Sequence, residues 1–483
     1  MALFNPTNFQ NQLGTFDAKI VYDNLMSNLL TTATPLYNEI KTVPVQRVGG
    51  KQFNFAVMLS TTGSAGSVGL QTGYQYNGQS FPPSPLQPTG AQGTALYKNI
   101  FSTSNITQDV LDRAGIGGEG YFENPEMVAD QIRVNQLGQV QEIQMLLKPF
   151  ERDTNIADPG VPNGATGVRG QSTQAKNGAG NVNTTLVMTG WTDPGCFQRD
   201  IILVFGTWAQ LTGAALSGPG ARVRVIDLSV DSDGVVTLTL NTVPNDATGN
   251  YPAFSINIGD VCVSGSNAQG AAPIVGERPW NEANNALTSI PMMGTGGTTN
   301  NTLFGIDPSV SLQGAWQGTQ SSKTVRTTLS ADRISNYIAK YALLNNKVSP
   351  QYAVMNPLGW TPVQNAMNAV AIQQELVKVG GVDVEALRWA TVNGKMTFIS
   401  SPRAPLFEFE FINAEKGKIA KAVLKEPGPL TTPDGLKWYS SPVTSTTWER
   451  ADYAMYELIC KERPGVGRMT QVQMDASEYG WPN

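Results

Sequence analysis

The residues best placed to do chemistry are Glu408 and Glu410, which alternate with Phe407, Phe409 and Phe411 in LFEFEF. Two carboxylates ~7 Å apart on one strand face suit an acid and base acting on a glycosidic bond. A strand with one solvated face shows the same alternation, and that is the reading adopted. Asp231-Ser232-Asp233-Gly234 begins like a calcium loop, but its glycine comes too early and the twelfth position is Thr242 in place of Glu, so it reads as a hairpin turn. GIGGEG at 115–120 matches the spacing of a dinucleotide-binding turn. That chemistry needs a strand before the glycines and a helix directly after. Here a helical pattern precedes them and Tyr121-Phe122-Glu123 intervenes, which makes the stretch a helix-ending turn.

Two absences restrict the chemistry further. The 483 residues include no histidine, which removes Ser-His-Asp and Cys-His catalysis and nearly every zinc or non-haem iron site. Cys196, Cys262 and Cys460 are odd in number and scattered, the pattern of small buried hydrophobes in a reducing compartment. The chain therefore reads as no enzyme, with no cofactor and no metal. An enzyme working through Glu408 and Glu410 is the weakest of three readings.

Only 15% of residues are charged, against a typical ~25%; Asn, Gln, Thr, Ser and Gly take their place. Uncharged polar surface is easier to bury against a neighbour than Lys or Glu, so the composition favours a subunit of an assembly. The net charge is −5 and no basic block occurs, which excludes a design for gripping phosphate backbones. No basic segment followed by an apolar core opens the chain, and no run of ~18 apolar residues occurs in it. A soluble protein made in the cytoplasm is expected.

The longest element to position any of these residues is a helix over 125–148. Asn124 can cap it, Pro125 suits its first turn, and Lys148 and Pro149 close it. Val134, Leu137, Val140, Ile143 and Leu147 form its apolar stripe, with Gln131, Asn135, Gln139 and Glu142 on the polar side. Gly138 in its middle suggests a close backbone approach.

Before it come an Asn/Gln-rich arm over 1–15, a helical pattern from Phe16 to about Pro35, and a strand over 51–59 with Phe53, Phe55, Val57 and Leu59 on one face. A return strand is expected over 96–101, then a helix over 106–114. The 34 residues between the strands, 60–93, carry no element and are too long for a free loop in a compact domain. A partner chain is expected to order them.

After the long helix a loop fills 153–183, and five short strands between 201 and 263 suggest a small barrel or sandwich. Then come a helix capped by Ser330, a strand over 351–355 and a turn at Asn356-Pro357. A helix from Thr361-Pro362 to about Lys378 and strands over 395–400 and 406–412 follow. The chain closes with 453–460 and 469–474 as paired strands or a strand and a turn.

This order resembles the major capsid proteins of tailed bacteriophages, the Hong Kong 97 fold. GGKQFNFAVMLSTTGSAG and LYKNIFSTSNITQDVLDRA resemble the family's E-loop and its exit, and 124–150 its spine helix. TLFGIDPSV with Trp316 resembles the return to the core after an inserted domain, and FSINIGDVCVSGS a strand of that insertion. RISNYIAKYALLNNKVSPQYAVMNPLGW looks like the axial helix, strand and corner, and MYELICKERPGVGRMTQVQM like the closing stretch.

The resemblance implies an α+β Hong Kong 97-like capsid fold with N-terminal arm, E-loop hairpin, long spine helix, β-rich insertion domain and α/β axial domain. Its divisions would be an arm and short helix over 1–44, an E-loop hairpin over 45–103, and a peripheral domain over 104–190. An insertion domain over 191–275, a return over 276–329, an axial domain over 330–445 and a closing peripheral segment over 446–483 would complete it. The chain would self-assemble as hexamers and pentamers of an icosahedral shell in the virion, built in the host cytoplasm. Scaffolding, portal and cementing proteins would be further partners, packaged DNA would be touched only non-specifically, and no membrane would be involved. Leu70, Tyr74, Tyr76 and Phe81 of the loop and Phe4 and Phe9 of the arm would contact neighbouring subunits. Some relatives join Lys to Asn; Lys98 and Asn99 lie in the corresponding region and read as ordinary surface residues. The competing reading is a β-rich carbohydrate-binding or adhesin-like protein, suggested by the Gly, Asn and Thr content.

Overall fold

The computed structural model describes residues 35–44, 52–62, 75–76, 79–80, 87–107 and most of 141–212, 221–264, 288–344 and 349–474. The first described element is α1 (Pro35–Glu39). Helix is therefore found over Pro35–Glu39, beyond the expected end near Pro35. Residues 1–34, with the arm and most of that helical pattern, lie outside the described residues, as do 108–140.

A five-stranded sheet gathers segments from both ends of the chain: β1 (Thr42–Pro44), β6 (Lys98–Thr107), β21 (Ile419–Pro429), β22 (Tyr439–Ser440) and β23 (Thr447–Cys460). The fourteen residues of β23 carry it. One edge pairs antiparallel with β21 and β22, and the other with all of β6, from Tyr456 opposite Lys98 to Thr447 opposite Thr107. Ile106 and Thr107 are thus strand, so the helix expected from Ile106 does not begin there; the cross-strand ladder to β23 wins over the local helical pattern.

The described residues within 60–93 are strand, where no element was expected. The strands β2 (Gln52–Thr62) and β5 (Gln87–Leu96) form a long antiparallel hairpin with a bulge at Met58/Ser60, and β3 (Gln75–Tyr76) pairs β4 (Gln79–Ser80) beyond it. The return strand starts nine residues before the expected Leu96, and Tyr97 alone separates β5 from β6. Weak β formers such as Gly90, Gly93 and Gln92 are held by register with β2.

Of the long helix, residues 141, 142 and 144–146 are described as helical and the run has ended by Leu147. Its end is enclosed all round. Gln141, Glu142 and Gln144 are as buried as Met145 and Leu146, which corrects the expectation that Glu142 faces solvent.

Among the described residues, the strands between 170 and 264 make a six-stranded sheet in place of the expected barrel or sandwich, with an order that places β7 (Gly170–Gln171) and β9 (Thr184–Val187) at its edges. Between them lie β14 (Val261–Ser264), β10 (Ile202–Gly206), β11 (Ala221–Val230) and β12 (Val236–Thr242); β8 (Lys176–Gly178) pairs β13 (Phe254–Ile256) beside it. The segment 153–183, expected as loop, thus supplies β7 and β8. The sheet has no need to close on itself, because both faces are covered. Leu203, Phe205, Val223 and Leu238 join the core of the following module, and Val204, Val261 and Val263 pack with Phe150, Val168 and Leu211 of α2 (Trp208–Thr212).

That module is a mixed seven-stranded sheet in the order β15 (Thr319–Ser321), β24 (Val466–Met469), β20 (Phe409–Ile412), β16 (Tyr352–Met355), β19 (Gly394–Ser400), β18 (Val382–Thr391) and β17 (Gln373–Val379). The short helix α3 (Ile290–Gly294) packs near β24 and β20. The longer α4 (Ala331–Leu344) presents Ile334, Tyr337, Ile338 and Tyr341 to the core. Ser330 caps α4 as expected, its Oγ accepting from Arg333 N at 3.2 Å. Asn356 likewise caps the turn leading to α5 (Trp360–Met367).

The helix expected through Lys378 does not reach it: Gln373–Val379 is β17, paired with β18 across Gly380-Gly381. The closing strands do not pair with each other. After β23 a 3-10 turn at Arg463–Gly465 carries the chain to the other sheet, where β24 lies between β15 and β20. Pro464, which cannot donate to a ladder, sits in that turn.

Candidate functional site

The two carboxylates are not on a solvated face. Glu408 is 4% exposed and Glu410 fully buried, because β20 is an inner strand of a sheet covered on both sides. Phe409 and Phe411 fill the face beneath α4, the Phe411 ring lying tilted 4.4 Å from that of Tyr337. On the other face Arg468, directly opposite Glu410 in β24, donates to Glu408 Oε2 from Nε at 2.7 Å and also from Nη2, and lies 3.6 Å from Glu410 Oε1. Lys148, from the end of the long helix, reaches Glu408 Oε1 at 2.9 Å. Two cations and two carboxylates thus neutralise one another, tying helix end, β20 and β24 together. Buried and ion-paired in this way, the two carboxyls serve as an internal tie.

A second tie lies one turn and a half back on the same helix. Glu142 accepts from Ser401 Oγ at 2.8 Å and lies 3.9 Å from Arg403 Nη1. Burial pushes its carboxyl above the usual range, and Ser401 and Arg403 pull against that rise. Arg468 and Ser401 were not singled out from sequence, and Glu142 was placed on the polar side of the helix. A charged residue inside the apolar strand of VGRM was the available signal for Arg468.

Lys98 and Asn99 open β6, and Lys98 is not an ordinary surface residue. Half-buried, its amine is lowered by burial and held up by the charge of Glu457. Glu457 is itself 1% exposed and accepts from Thr288 N at 2.8 Å and Leu458 N at 2.9 Å. Burial raises its carboxyl to about 7. Sequence reading passed over Glu457 because one acid in MYELIC looks like the wet side of an edge strand, whereas β23 is paired along both edges.

The Asp231 turn is a turn. Asp231 Oδ1 accepts from Val235 N at 2.7 Å, Gly234 N donates to Asp231 O, and Gly234 has φ +74°. It docks on the Phe407 ring, over which Arg326 stacks at 3.8 Å. Cys262 and Cys460 are buried thiols, that of Cys460 pushed up to about 12 by burial; Cys196 lies outside the described residues.

What stands outside these buried clusters is the hairpin. Its inner face, Phe55, Val57, Leu59 and Ala95, packs on Leu303, Phe304 and Trp316. Its outer face exposes Asn54, Ala56, Gln92 and Leu96 (48%), with Met58 at 73%. Neither arm contains a charged residue. Of the residues expected to contact neighbours, Tyr76 lies in β3 beyond these arms; Phe4, Phe9, Leu70, Tyr74 and Phe81 lie outside the described residues.

No family model and no curated protein matches the chain. Among solved structures it is similar to a chain of the cyanophage A-1(L) capsid asymmetric unit, at 8% identity and TM-score 0.49, over 94% of this chain and 97% of that one. It is similar to a Mycobacterium phage Bobi chain at 9% identity and TM-score 0.40, over 95% and 97%. A third similarity is to a chain of the holo-SrpI encapsulin complex from Synechococcus elongatus PCC 7942, at 7% identity and TM-score 0.38, over 100% of both.

Proposed function

We propose that this chain is a bacteriophage major capsid protein, non-enzymatic, that assembles as hexamers and pentamers of an icosahedral shell around the phage genome. The observation that carries the reading is the hairpin. Among the described residues β2 pairs only with β5, so its other edge offers a row of backbone donors and acceptors over eleven residues without a single charge or proline. Proteins that stay monomeric blunt such edges with Lys, Pro or a covering element. An uncharged edge beside an outward-facing Met58 and Leu96 suits a surface completed by another copy. The charge-poor composition and the order of motifs along the sequence support the same conclusion.

In this reading residues 63–86, with Leu70, Tyr74, Tyr76 and Phe81, lie on a neighbouring subunit, and the arm with Phe4 and Phe9 threads under another. The divisions are those drawn from the sequence, with β7 to β9 added to the insertion. Scaffolding, portal and cementing proteins are further partners, DNA is enclosed without sequence preference, and the site of assembly is the host cytoplasm. Negative-stain microscopy of the expressed chain across salt and pH tests this. Closed shells or five- and six-fold rings are expected; small monodisperse particles under every condition would refute it.

A further inference from the structure

The segment that meets the root of the hairpin is built against its own local preference. Leu303 and Ile306 exchange backbone hydrogen bonds at 3.1 and 3.0 Å across Phe304-Gly305, whose φ values are +55° and +81°. A reversal with two positive φ angles favours Asn-Gly; a bulky aromatic at its first position is strained.

The strain places Phe304 against the hairpin in two ways. Its carbonyl accepts from Thr94 N of β5 at 2.9 Å, and its ring meets that of Phe55 of β2 edge-on, 5.5 Å apart at 76°. Both arms are therefore held by one residue. The Phe55 ring lies across the bare backbone of Gly93, where a Cβ would sit 2.6 Å from it. Trp316, fully buried, locks the reversal from behind through Nε1 to Leu303 O at 3.3 Å. On the body side the hairpin continues into β6 through Tyr97, the one residue between the two strands outside any ladder.

We propose that the Leu303–Ile306 reversal, backed by Trp316, forms a clasp with Phe304 as its tooth, which sets the angle at which the hairpin leaves the body. The use of that angle, to seat the hairpin on a neighbouring copy, rests on the function proposed above. The clasp itself does not, since every contact in it lies within one chain.

Hydrogen exchange of the unassembled full chain, read by mass spectrometry, tests it. Phe304→Asn suits the reversal better than the native residue and removes the tooth. Amides of 52–62 and 89–96 should exchange about tenfold faster, while those of β11, β12, β16 and β20 stay as they were. Phe55→Ala should give the same effect, and the double variant little more than either alone. Unchanged exchange in the hairpin, an equal rise in all three sheets, or full additivity of the two substitutions would each overturn the clasp. Microscopy of the same samples reads assembly separately: faster hairpin exchange in a chain that never forms shells would keep the clasp and remove the function.

Discussion

Glu457→Gln should make the chain more stable at alkaline pH and leave it unchanged in acid. The native carboxyl is buried between β21 and β6, and burial holds it at about 7 against 4.5 in an unfolded chain. A carboxyl raised in the folded state contributes its stability below the unfolded value and loses it as pH climbs through the folded one. The window is therefore pH 4.5 to 7. The gap between those values, at ~1.4 kcal/mol per pH unit, gives about 3 kcal/mol lost on going from acid to pH 8. Gln keeps an oxygen for Thr288 N and Leu458 N and carries no charge to bury, so the variant escapes the loss. Lys98 loses its neighbouring negative charge in exchange, which makes 3 kcal/mol an upper bound. Urea unfolding of the unassembled chain, variant against wild type at pH 5 and pH 8, reads the difference free of other titrating groups. A difference that does not grow with pH, or one that favours wild type at pH 8, would refute the reasoning.

Arg468→Met should cost about 3–5 kcal/mol, because it leaves Glu408 and Glu410 buried with Lys148 as the remaining cation of the cluster; adding Glu410→Gln should recover part of that in the same unfolding assay. Gly467→Ala places a methyl against the Tyr337 hydroxyl, which donates to Thr319 O at 2.9 Å, and should cost about 1–3 kcal/mol by calorimetry, less when combined with Tyr337→Phe. Replacing residues 63–86 by a two-residue turn should leave a folded chain of unchanged melting temperature that forms no shells by light scattering. A melting temperature lowered by tens of degrees would show that those residues belong to the chain's own core.

What the sequence made legible was local. The cap at Ser330, the stripe of Ile334, Tyr337, Ile338 and Tyr341, and the Asp-Gly turn all depend on residues within a few positions of one another, and all are found. The failures lie where distant pairing decided. Gln373–Val379 carries helix formers, Gln, Glu, Leu and Lys, and was read as the end of a helix; seven cross-strand pairs with β18 outweigh that preference, and Gly380-Gly381 was the overlooked turn signal. Glu408, Glu410, Glu142 and Glu457 were placed in water or passed over, because alternation shows which side chains share a face and leaves open whether another layer covers it. The hairpin surface was legible as an excess of uncharged residues that no local element absorbed. Its clasp was not, since nothing in TLFGIDPSV announces that Phe304 adopts a left-handed backbone.

The placement of β23 and β24 has a consequence for how the chain is made. The strand β6 waits about 350 residues for its ladder partner, and β15 has none until β24 follows. At ~5–20 residues per second that is roughly 20–70 s of synthesis during which the first-made segments cannot complete either sheet. The strand that continues the hairpin into the body stays without its ladder for that interval, although Phe304, which holds the hairpin's arms, is made earlier. Synthesis of β23 and β24 becomes the event that completes both sheets.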